Sequence, residues 1–260
     1  MEDIQLKNQL SMLDRDGLVI IKSLFSETWA LQAKQIVKNS LRDIPLSKSL
    51  YSIHIHNPFL ISNHFLEVFK NETLNQIMQL KVGANYKLRN YVCSSIQIQV
   101  DSPDRQNPIG EGWHRDLPFE YKDGSTYTGF CDTYQLVIAL DPTDLKNSTR
   151  WVLGSHDDSR GCHRPSENHI SDLEKKAQFF ELEPGDAIIF NDNILHRAGV
   201  PSELERYLLF IDFCPWYLMQ YFNYKDYIEA IDVEPAIKKI FGAHVNQPEV
   251  STRLSSMLSY

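Results

Sequence analysis

The chain has 260 residues, of which 42% are hydrophobic and 23% are charged, enough to bury a sizeable core in one domain. Its formal net charge of -8 argues against a general binder of nucleic acid or of an anionic membrane, because either partner would be repelled on average. The four cysteines form no C-x-x-C pair, so the sequence predicts neither a disulfide framework nor a thiolate zinc site.

The N-terminus, "MEDIQLKNQL", carries acidic residues where a secretory signal has a basic start and an apolar run. No apolar stretch of the sequence is long enough to span a bilayer. We therefore expect a cytoplasmic protein without a nucleic-acid or membrane partner. The sequence does not indicate the oligomeric state.

The first 85 residues alternate helical and strand patterns. "NQLSMLDRDG" predicts a short helix that Gly17 ends, "LVIIKSLF" predicts a strand, and "SETWALQAKQIVKNSLRDI" predicts a helix that begins at Ser26. A further helical pattern covers "NHFLEVFKNETLNQIMQLKV" and ends before Gly83. We expect most apolar residues of this part to lie in the core.

From about residue 86 the pattern changes to short β runs separated by turn residues. The runs are "YVCSSIQIQV", "DTYQLVIAL", "TRWVLGSH", "AQFFELEPGDAIIF" and "RYLLFIDF". Such runs predict an antiparallel sandwich or barrel. After Pro215, "WYLMQYFNYKDYIEAI" returns to helical spacing. We expect one domain over residues 1–260, with N-terminal helices and the first strand in 1–85, a β core in 86–214 and a helical segment in 215–260.

The stretch "EGWHRDLPFE" places His114 and Asp116 two positions apart. In an extended chain such residues project from one face, roughly 6.6 Å apart, so an imidazole and a carboxylate can bind the same metal ion. His-x-Asp is also frequent by chance. On these two residues alone, an exposed ion pair or a turn-capping Asp is the better interpretation.

His196 provides the third candidate ligand. In "EPGDAIIFNDNILHRAG" a Pro-Gly-Asp turn precedes the strand "AIIF", and His196 follows that strand. Two histidines and one carboxylate from different strands can form a facial triad, which leaves open positions on octahedral iron for a bidentate co-substrate and dioxygen. Zinc prefers a closed tetrahedral site.

Arg206 opens the strand "RYLLFIDF", whose alternation places it on one face with Leu208, Phe210 and Asp212. A buried guanidinium needs an anionic partner. Asp212 would serve if Arg206 had a purely structural role. With a metal triad upstream, a bidentate clamp on the distal carboxylate of a dicarboxylic co-substrate is the better interpretation.

These segments together resemble the phytanoyl-CoA dioxygenase-like family of iron(II)- and 2-oxoglutarate-dependent oxygenases. The resemblance rests on His114-x-Asp116, on "NSTRWVLGSH", and on "PGDAIIFNDNILHRAG" with His196 and Arg206 in that order. The opening "DRDGLVIIKSLFSETW" also looks like the family's beginning, so the resemblance covers about residues 10–213.

The resemblance implies a mostly β fold with flanking helices around a double-stranded β-helix core, the jelly roll of cupin-like proteins. It implies that His114, Asp116 and His196 bind Fe(II), and that Arg206 binds the C5 carboxylate of 2-oxoglutarate, with O2 as the other co-substrate. Family members often have a polar residue on the strand before the triad. Gln97 and Gln99 share one face of "SSIQIQV" and match it, although an outward polar face is an equal alternative.

Two positions depart from the family pattern. Asn147 matches the Asn of the family's "NG" turn, but Ser148 replaces the usual Gly. The "GSH" element ends at His156, but Leu153 replaces the usual Pro before it. These departures put the shape of a supporting turn in question more than the chemistry.

Other polar and aromatic residues have open roles. His54 and His56 alternate in "YSIHIHN", and we interpret them as surface, substrate-entrance or core residues. Trp113 and Trp151 either line the cavity or fill the core. Arg197 is expected to face away from its neighbour His196 and to have a packing or surface role.

The implied reaction is hydroxylation of an unactivated C–H bond in a small metabolite or natural-product intermediate, with release of succinate and CO2. Asp116 favours hydroxylation, because related halogenases have a small residue there. A free substrate and an acyl-CoA or carrier-bound thioester both remain open. The alternatives are a metal-binding cupin-like barrel that is non-catalytic or differently catalytic, and a Jumonji-type protein hydroxylase. In the latter a Lys usually anchors the co-substrate, so Arg206 favours the small-molecule oxygenases.

Overall fold

The computed structural model describes residues 2–42, 52–96, 112–116, 133–157, 167–199, 202, 204–244 and 258–259. The α-helices in these ranges are α1 (Glu2–Asp16), α2 (Glu27–Leu41), α3 (Glu72–Lys81), α4 (Glu167–Lys176), α5 (Lys225–Ala230) and α6 (Pro235–Ile240). The strands are β1 (Leu18–Ile21), β2 (Ser52–His56), β3 (Lys87–Ile96), β4 (Tyr134–Ala139), β5 (Arg150–Trp151), β6 (Gln178–Phe179), β7 (Ala187–Asn191), β8 (His196–Arg197), β9 (Arg206–Cys214) and β10 (Leu258–Ser259).

The described strands form two antiparallel sheets. The large sheet has the order β1-β7-β4-β9-β3-β2-β10, and the small sheet has the order β6-β5-β8. Trp151 of the small sheet packs on Phe190 of the large one, with ring centroids 4.7 Å apart, in a cluster that also contains Val137 and Leu208. The predicted fold class is confirmed: the protein is mostly antiparallel β with flanking helices, in a jelly-roll arrangement whose two sheets do not close into a barrel.

Strand β9 separates the helical layer from the cavity between the sheets. Leu209, Ile211 and Phe213 belong to the core that the helices cover, together with Trp29 of α2. Arg206, Phe210 and Asp212 line the cavity on the opposite face. The alternation predicted for this strand is therefore confirmed.

The N-terminal elements also follow the sequence pattern. Gly17 ends α1 with a φ of 81°, a left-handed conformation that glycine adopts without steric cost. The Ser26 side chain caps α2 by accepting a hydrogen bond from the backbone N–H of Trp29, 3.1 Å away. Strand β1 pairs with β7, so this segment forms part of the large sheet.

Several elements differ from the predicted ones. Strand β2 was not predicted, and its His54 pairs with Ser94 of β3. The helical pattern from residue 63 is divided into a 3-10 helix, Asn63–Lys70, and α3, because the Asn71 side chain caps α3 by accepting from the N–H of Leu74. Helix α4 was not predicted from the sequence. In the aromatic segment after Pro215, the helix α5 begins only at Lys225.

The described helices include none with the length and apolar composition needed to cross a membrane.

Candidate active site

The backbone brings His114 and His196 face to face. The N–H of each donates to the carbonyl oxygen of the other, at 2.9 and 3.0 Å, which forms an isolated antiparallel bridge. The two imidazole centroids lie 4.3 Å apart. Asp116 is fixed by its own N–H, which donates to the carbonyl oxygen of Asp192 at 2.9 Å. One candidate ligand atom from each of the three side chains lies within 4.8 Å of the others.

Both imidazoles have an orientation that suits metal binding. Nδ1 of His114 lies 2.5 Å from the carbonyl oxygen of Gly112, and Nδ1 of His196 lies 3.0 Å from that of Ile194. Since a carbonyl oxygen only accepts, each Nδ1 carries hydrogen and each Nε2 of the neutral ring has a lone pair. The Nε2 atoms lie 3.3 and 3.2 Å from the two carboxylate oxygens of Asp116. This set of two imidazole nitrogens and one carboxylate fits a facial triad for iron(II).

The Asp116 carboxyl group is ionised at neutral pH. Burial raises its pKa, but contact with the imidazoles of His196 and His114 outweighs burial, so the pKa lies well below the ordinary value. Nε2 of Gln135 also donates to Oδ2 of Asp116, at 2.8 Å. The carboxylate is therefore charged and held from a third side.

Aromatic rings enclose His196. The Trp151 indole stacks on its imidazole with centroids 5.1 Å apart, and Phe190 meets it edge-on at 5.3 Å. These contacts restrict rotation of the His196 ring and exclude water from one side of the triad.

The side chains of residues next to the candidate ligands in the sequence point away from the metal site. Arg115 is buried, and its Nη1 donates to the carbonyl oxygens of Ser155, at 2.7 Å, and of Asn193. Arg197 binds both carboxylate oxygens of Glu174, at 2.8 and 3.0 Å, and Trp113 donates to the same carboxylate at 2.9 Å. As expected, Arg197 has a packing role, and Trp113 fills a small core rather than the cavity.

Arg206 lines the same cavity as the triad and is buried. Its Nη1 donates to the carbonyl oxygen of Asn147. Asp212, the structural partner considered for Arg206, instead accepts from Nε of Arg89 at 2.5 Å. The alternative in which Asp212 neutralises Arg206 is therefore wrong.

The turn at Asn147 and Ser148, whose Asn147 carbonyl oxygen accepts from Arg206, is formed although Ser148 replaces the usual Gly. The N–H of Asn147 donates to Oδ1 of Asp144 at 2.7 Å, and the Asn147 side chain accepts from the N–H of Asp144 at 2.9 Å. Ser148 has a negative φ and donates from its hydroxyl to the carbonyl oxygen of Phe180 at 3.0 Å. The conformational freedom of glycine is not needed at this position.

The cavity has a volume of about 490 Å³. Besides the triad and Arg206 it contains a second group of polar residues, Arg89, Asn90, Asp212 and Tyr221. The sequence reasoning missed Arg89 and Gln135. The only local signal for Arg89 is the pair of polar residues between apolar ones in "KLRNYV", which breaks strand alternation.

The remaining candidates have mixed outcomes. His54 lines the cavity, which agrees with the substrate-entrance role considered for it. Its pKa is lowered by burial and, to a smaller extent, by the charges of His56 and Arg206. Gln97 and Gln99 lie outside the described residues, so their role stays a prediction.

Comparison with known proteins places this chain in a family. No curated protein sequence matches the chain significantly. Among the solved structures that share the fold is HygX from Streptomyces hygroscopicus with nickel and 2-oxoglutarate bound, with a TM-score of 0.62 and 13% identity over 82% of this chain and 88% of that one. The profile of the phytanoyl-CoA dioxygenase (PhyH) family matches residues 13–201, a range that contains all three residues of the triad. The chain belongs to the phytanoyl-CoA dioxygenase family.

Proposed function

We propose that this protein is an Fe(II)- and 2-oxoglutarate-dependent dioxygenase that hydroxylates an unactivated C–H bond of a small metabolite or natural-product intermediate, with release of succinate and CO2. The observation that carries the proposal is the meeting of two imidazole Nε2 atoms and one carboxylate in a cavity that also contains a buried guanidinium. Family membership and the 2-oxoglutarate bound by HygX support the same general chemistry.

His114, Asp116 and His196 would hold the iron. When bound, iron(II) supplies the dioxygen chemistry that couples decarboxylation of 2-oxoglutarate to oxidation of the substrate. The protein's contribution is positional: the Gly112 and Ile194 carbonyl oxygens orient the two rings, and Gln135 orients the carboxylate. A carboxylate at position 116 supports hydroxylation over halogenation, since it retains the third protein ligand.

Arg206 would bind the far carboxylate of 2-oxoglutarate. A guanidinium offers donors in a planar fork that matches a carboxylate, and desolvation strengthens such a pair. The Asn147 carbonyl oxygen accepts from Nη1 and thereby restrains the direction of the fork. Phe210 and Val92 line the cavity wall beyond it, so the co-substrate would lie against apolar side chains that displace water.

An anaerobic titration tests the proposal. Fe(II) and 2-oxoglutarate are added without oxygen to the wild type and to Arg206→Ala, and the weak visible metal-to-ligand charge-transfer band is followed. We expect a band in the wild type that needs far more 2-oxoglutarate in Arg206→Ala. Arg15→Ala, at an exposed arginine of α1, is the matched control and should behave as wild type.

The opposite result is also informative. If iron binds to the wild type but 2-oxoglutarate produces no band, the oxygenase proposal is wrong and a metal-binding barrel of another kind remains. If the band does form, consumption of 2-oxoglutarate with formation of succinate in air separates a catalytic site from a binding site.

A further inference from the structure

Strand β3 contains an irregularity at Arg89. Its register against β9 shifts between Leu88 and Asn90. In a regular strand consecutive side chains point to opposite faces, yet Arg89 and Asn90 both line the cavity, while Leu88 and Tyr91 lie in the helix-covered core. Such bulges redirect a side chain, frequently beside a functional site. The irregularity here adds a guanidinium to the cavity wall.

The hydrogen bonds around Arg89 are incomplete. Nε donates to Oδ2 of Asp212 at 2.5 Å, and Nη2 donates to Oδ2 of Asp192 at 3.3 Å. Arg89 is 3% and Asp212 5% exposed. Within the described part of the chain, Nη1 of Arg89 and Oδ1 of Asp212 have no hydrogen-bond partner. Because nearly all buried polar atoms in proteins are bonded, a donor and an acceptor in this state on neighbouring cavity residues indicate a ligand site.

Tyr221 lies over the Arg89 guanidinium. Its ring centroid is 5.1 Å from the Arg89 guanidinium carbon, and its N–H donates to the Arg89 carbonyl oxygen at 3.0 Å. Gln220 donates to the carbonyl oxygen of Leu88 at 2.5 Å, so the segment after β9 is attached to the irregular part of β3. Tyr221 is 50% exposed and therefore lies between the pair and solvent.

The pair is distant from the other basic residue of the cavity. Arg206 and Asp212 are on the same face of β9, six residues and roughly 20 Å apart at the usual rise of a strand. 2-Oxoglutarate is much shorter than this distance, so a molecule anchored by Arg206 leaves the Arg89 end accessible to a second ligand.

We propose that Arg89 and Asp212, beneath the Tyr221 ring, anchor the substrate through a neutral group that offers a hydrogen-bond donor beside an acceptor, as a primary carboxamide does. The amide would donate to Oδ1 of Asp212 and accept from Nη1 of Arg89. A ligand carboxylate would face the carboxylates of Asp212 and Asp192, and a ligand ammonium would face the guanidinium. This inference rests on the proposed function, because it treats the ligand of this end as the substrate.

The test uses three probes of equal length: pentanamide, pentanoate and pentylammonium. Their dissociation constants are measured by ligand-observed NMR in an Arg206→Met background, without iron or 2-oxoglutarate, so that the other end of the cavity does not bind the anion. We expect pentanamide to bind about tenfold more tightly than either charged probe.

Asp212→Asn provides a switch of specificity. Its amide can still accept from Nε of Arg89, but it then presents N–H groups where Asp212 presented an oxygen. The variant should therefore lose its preference for pentanamide and prefer pentanoate. Asp186→Asn, the same change in a turn outside the cavity, should keep the wild-type preference. If Asp212→Asn does not fold, Tyr221→Ala at the exposed cover should weaken pentanamide binding and leave the far-UV spectrum unchanged.

Three results would overturn the inference. The three probes bind equally, none of them binds, or the preference for pentanamide is unchanged in both Asp212→Asn and Tyr221→Ala. These failures differ from failure of the proposed function, because probe binding requires neither iron nor 2-oxoglutarate. The charge-transfer band requires both of these and no probe.

Discussion

The side-chain amide of Gln135 donates a 2.8 Å hydrogen bond to Oδ2 of Asp116 and so connects the triad to the large sheet. Gln135 lies on β4, where its neighbours across the sheet are Phe190 of β7 and Asp212 of β9. His196, by contrast, belongs to the small sheet. The triad is therefore held by residues of both sheets, and its geometry depends on how the sheets pack.

Gln135→Leu should weaken metal binding. The substitution removes the hydrogen bond to Asp116 and leaves all three candidate ligands in place. Loss of such an outer contact typically lowers metal affinity about 10–100-fold. Titration with Co(II), followed by visible absorption, measures the affinity without turnover. Gln35→Leu, on the exposed side of α2, is the control, and equal affinities in the two variants would show that Gln135 does not orient the carboxylate.

Trp151→Ala should destabilise the fold and the triad together. The indole is buried and packs against both Phe190 and His196, so its removal should cost about 3–5 kcal/mol of unfolding free energy. Urea denaturation measures this cost. Trp216→Ala, at a tryptophan that is 55% exposed, should change the free energy by less than about 0.5 kcal/mol. A similar cost in both variants would contradict the packing role of Trp151.

Glu174→Gln should remove a pH-dependent contribution to stability. Burial raises the pKa of Glu174, but the hydrogen bonds from Arg197 and Trp113 outweigh burial and lower it below the ordinary value of 4.5. A lowered folded-state pKa means that the contribution is complete above that ordinary value and is lost as pH falls through the folded-state pKa. The wild type should therefore exceed the variant by about 1–2 kcal/mol at pH 7.

Comparing the two proteins at low pH isolates the contribution of Glu174 ionisation to the free energy of unfolding, because all other carboxyl groups are common to both proteins. Urea midpoints at pH 7 and at about pH 3 should converge for wild type and Glu174→Gln. Glu229→Gln, at an exposed residue of α5, is the matched control and should follow the wild type at both values. A difference that is independent of pH would point to packing instead of charge.

Gly199→Ala should disturb the turn that restrains Arg206. A Cβ at position 199 would lie 2.3 Å from the backbone carbon and oxygen of Asn147, which are not the ends of a flexible side chain. We expect a loss of about 1–3 kcal/mol in stability and a weaker affinity for 2-oxoglutarate, because the same Asn147 oxygen accepts from Arg206.

Gly83→Ala is the contrasting variant for that experiment. A Cβ at Gly83 would meet no atom within 4 Å, so its cost should come from the φ of 120° alone. Its affinity for 2-oxoglutarate, measured by the anaerobic titration, should equal that of the wild type. Unchanged 2-oxoglutarate affinity in Gly199→Ala would show that the turn does not position Arg206.

Patterns local to one segment were the most informative part of the sequence. Ser26 before an apolar helical repeat predicted the start of α2, and the alternation in "RYLLFIDF" predicted which face of β9 meets the cavity. The residues of the triad could be selected because three motifs occur in a fixed order. The structure brings them together, while their binding of iron stays a proposal.

Features that depend on pairing partners were missed. The irregularity at Arg89 exists only relative to the register of β9, and the Gln135 contact requires β4 to lie beside Asp116. His54 and His56 alternate as a strand does, but the pairing with β3 that makes β2 part of the sheet joins residues about forty positions apart. No local pattern contains this information.

The distribution of functions along β9 has a consequence for protein engineering. Arg206 is at the first position of the strand, whereas the segment that carries Tyr221 begins only after its last residue, Cys214. A codon library restricted to positions 216–221 would therefore vary the surroundings of the Arg89 end without altering any residue of the triad or Arg206. If the Arg89 end binds the substrate and Arg206 binds the co-substrate, as proposed, substrate range could be varied in this short gene segment while co-substrate binding is kept.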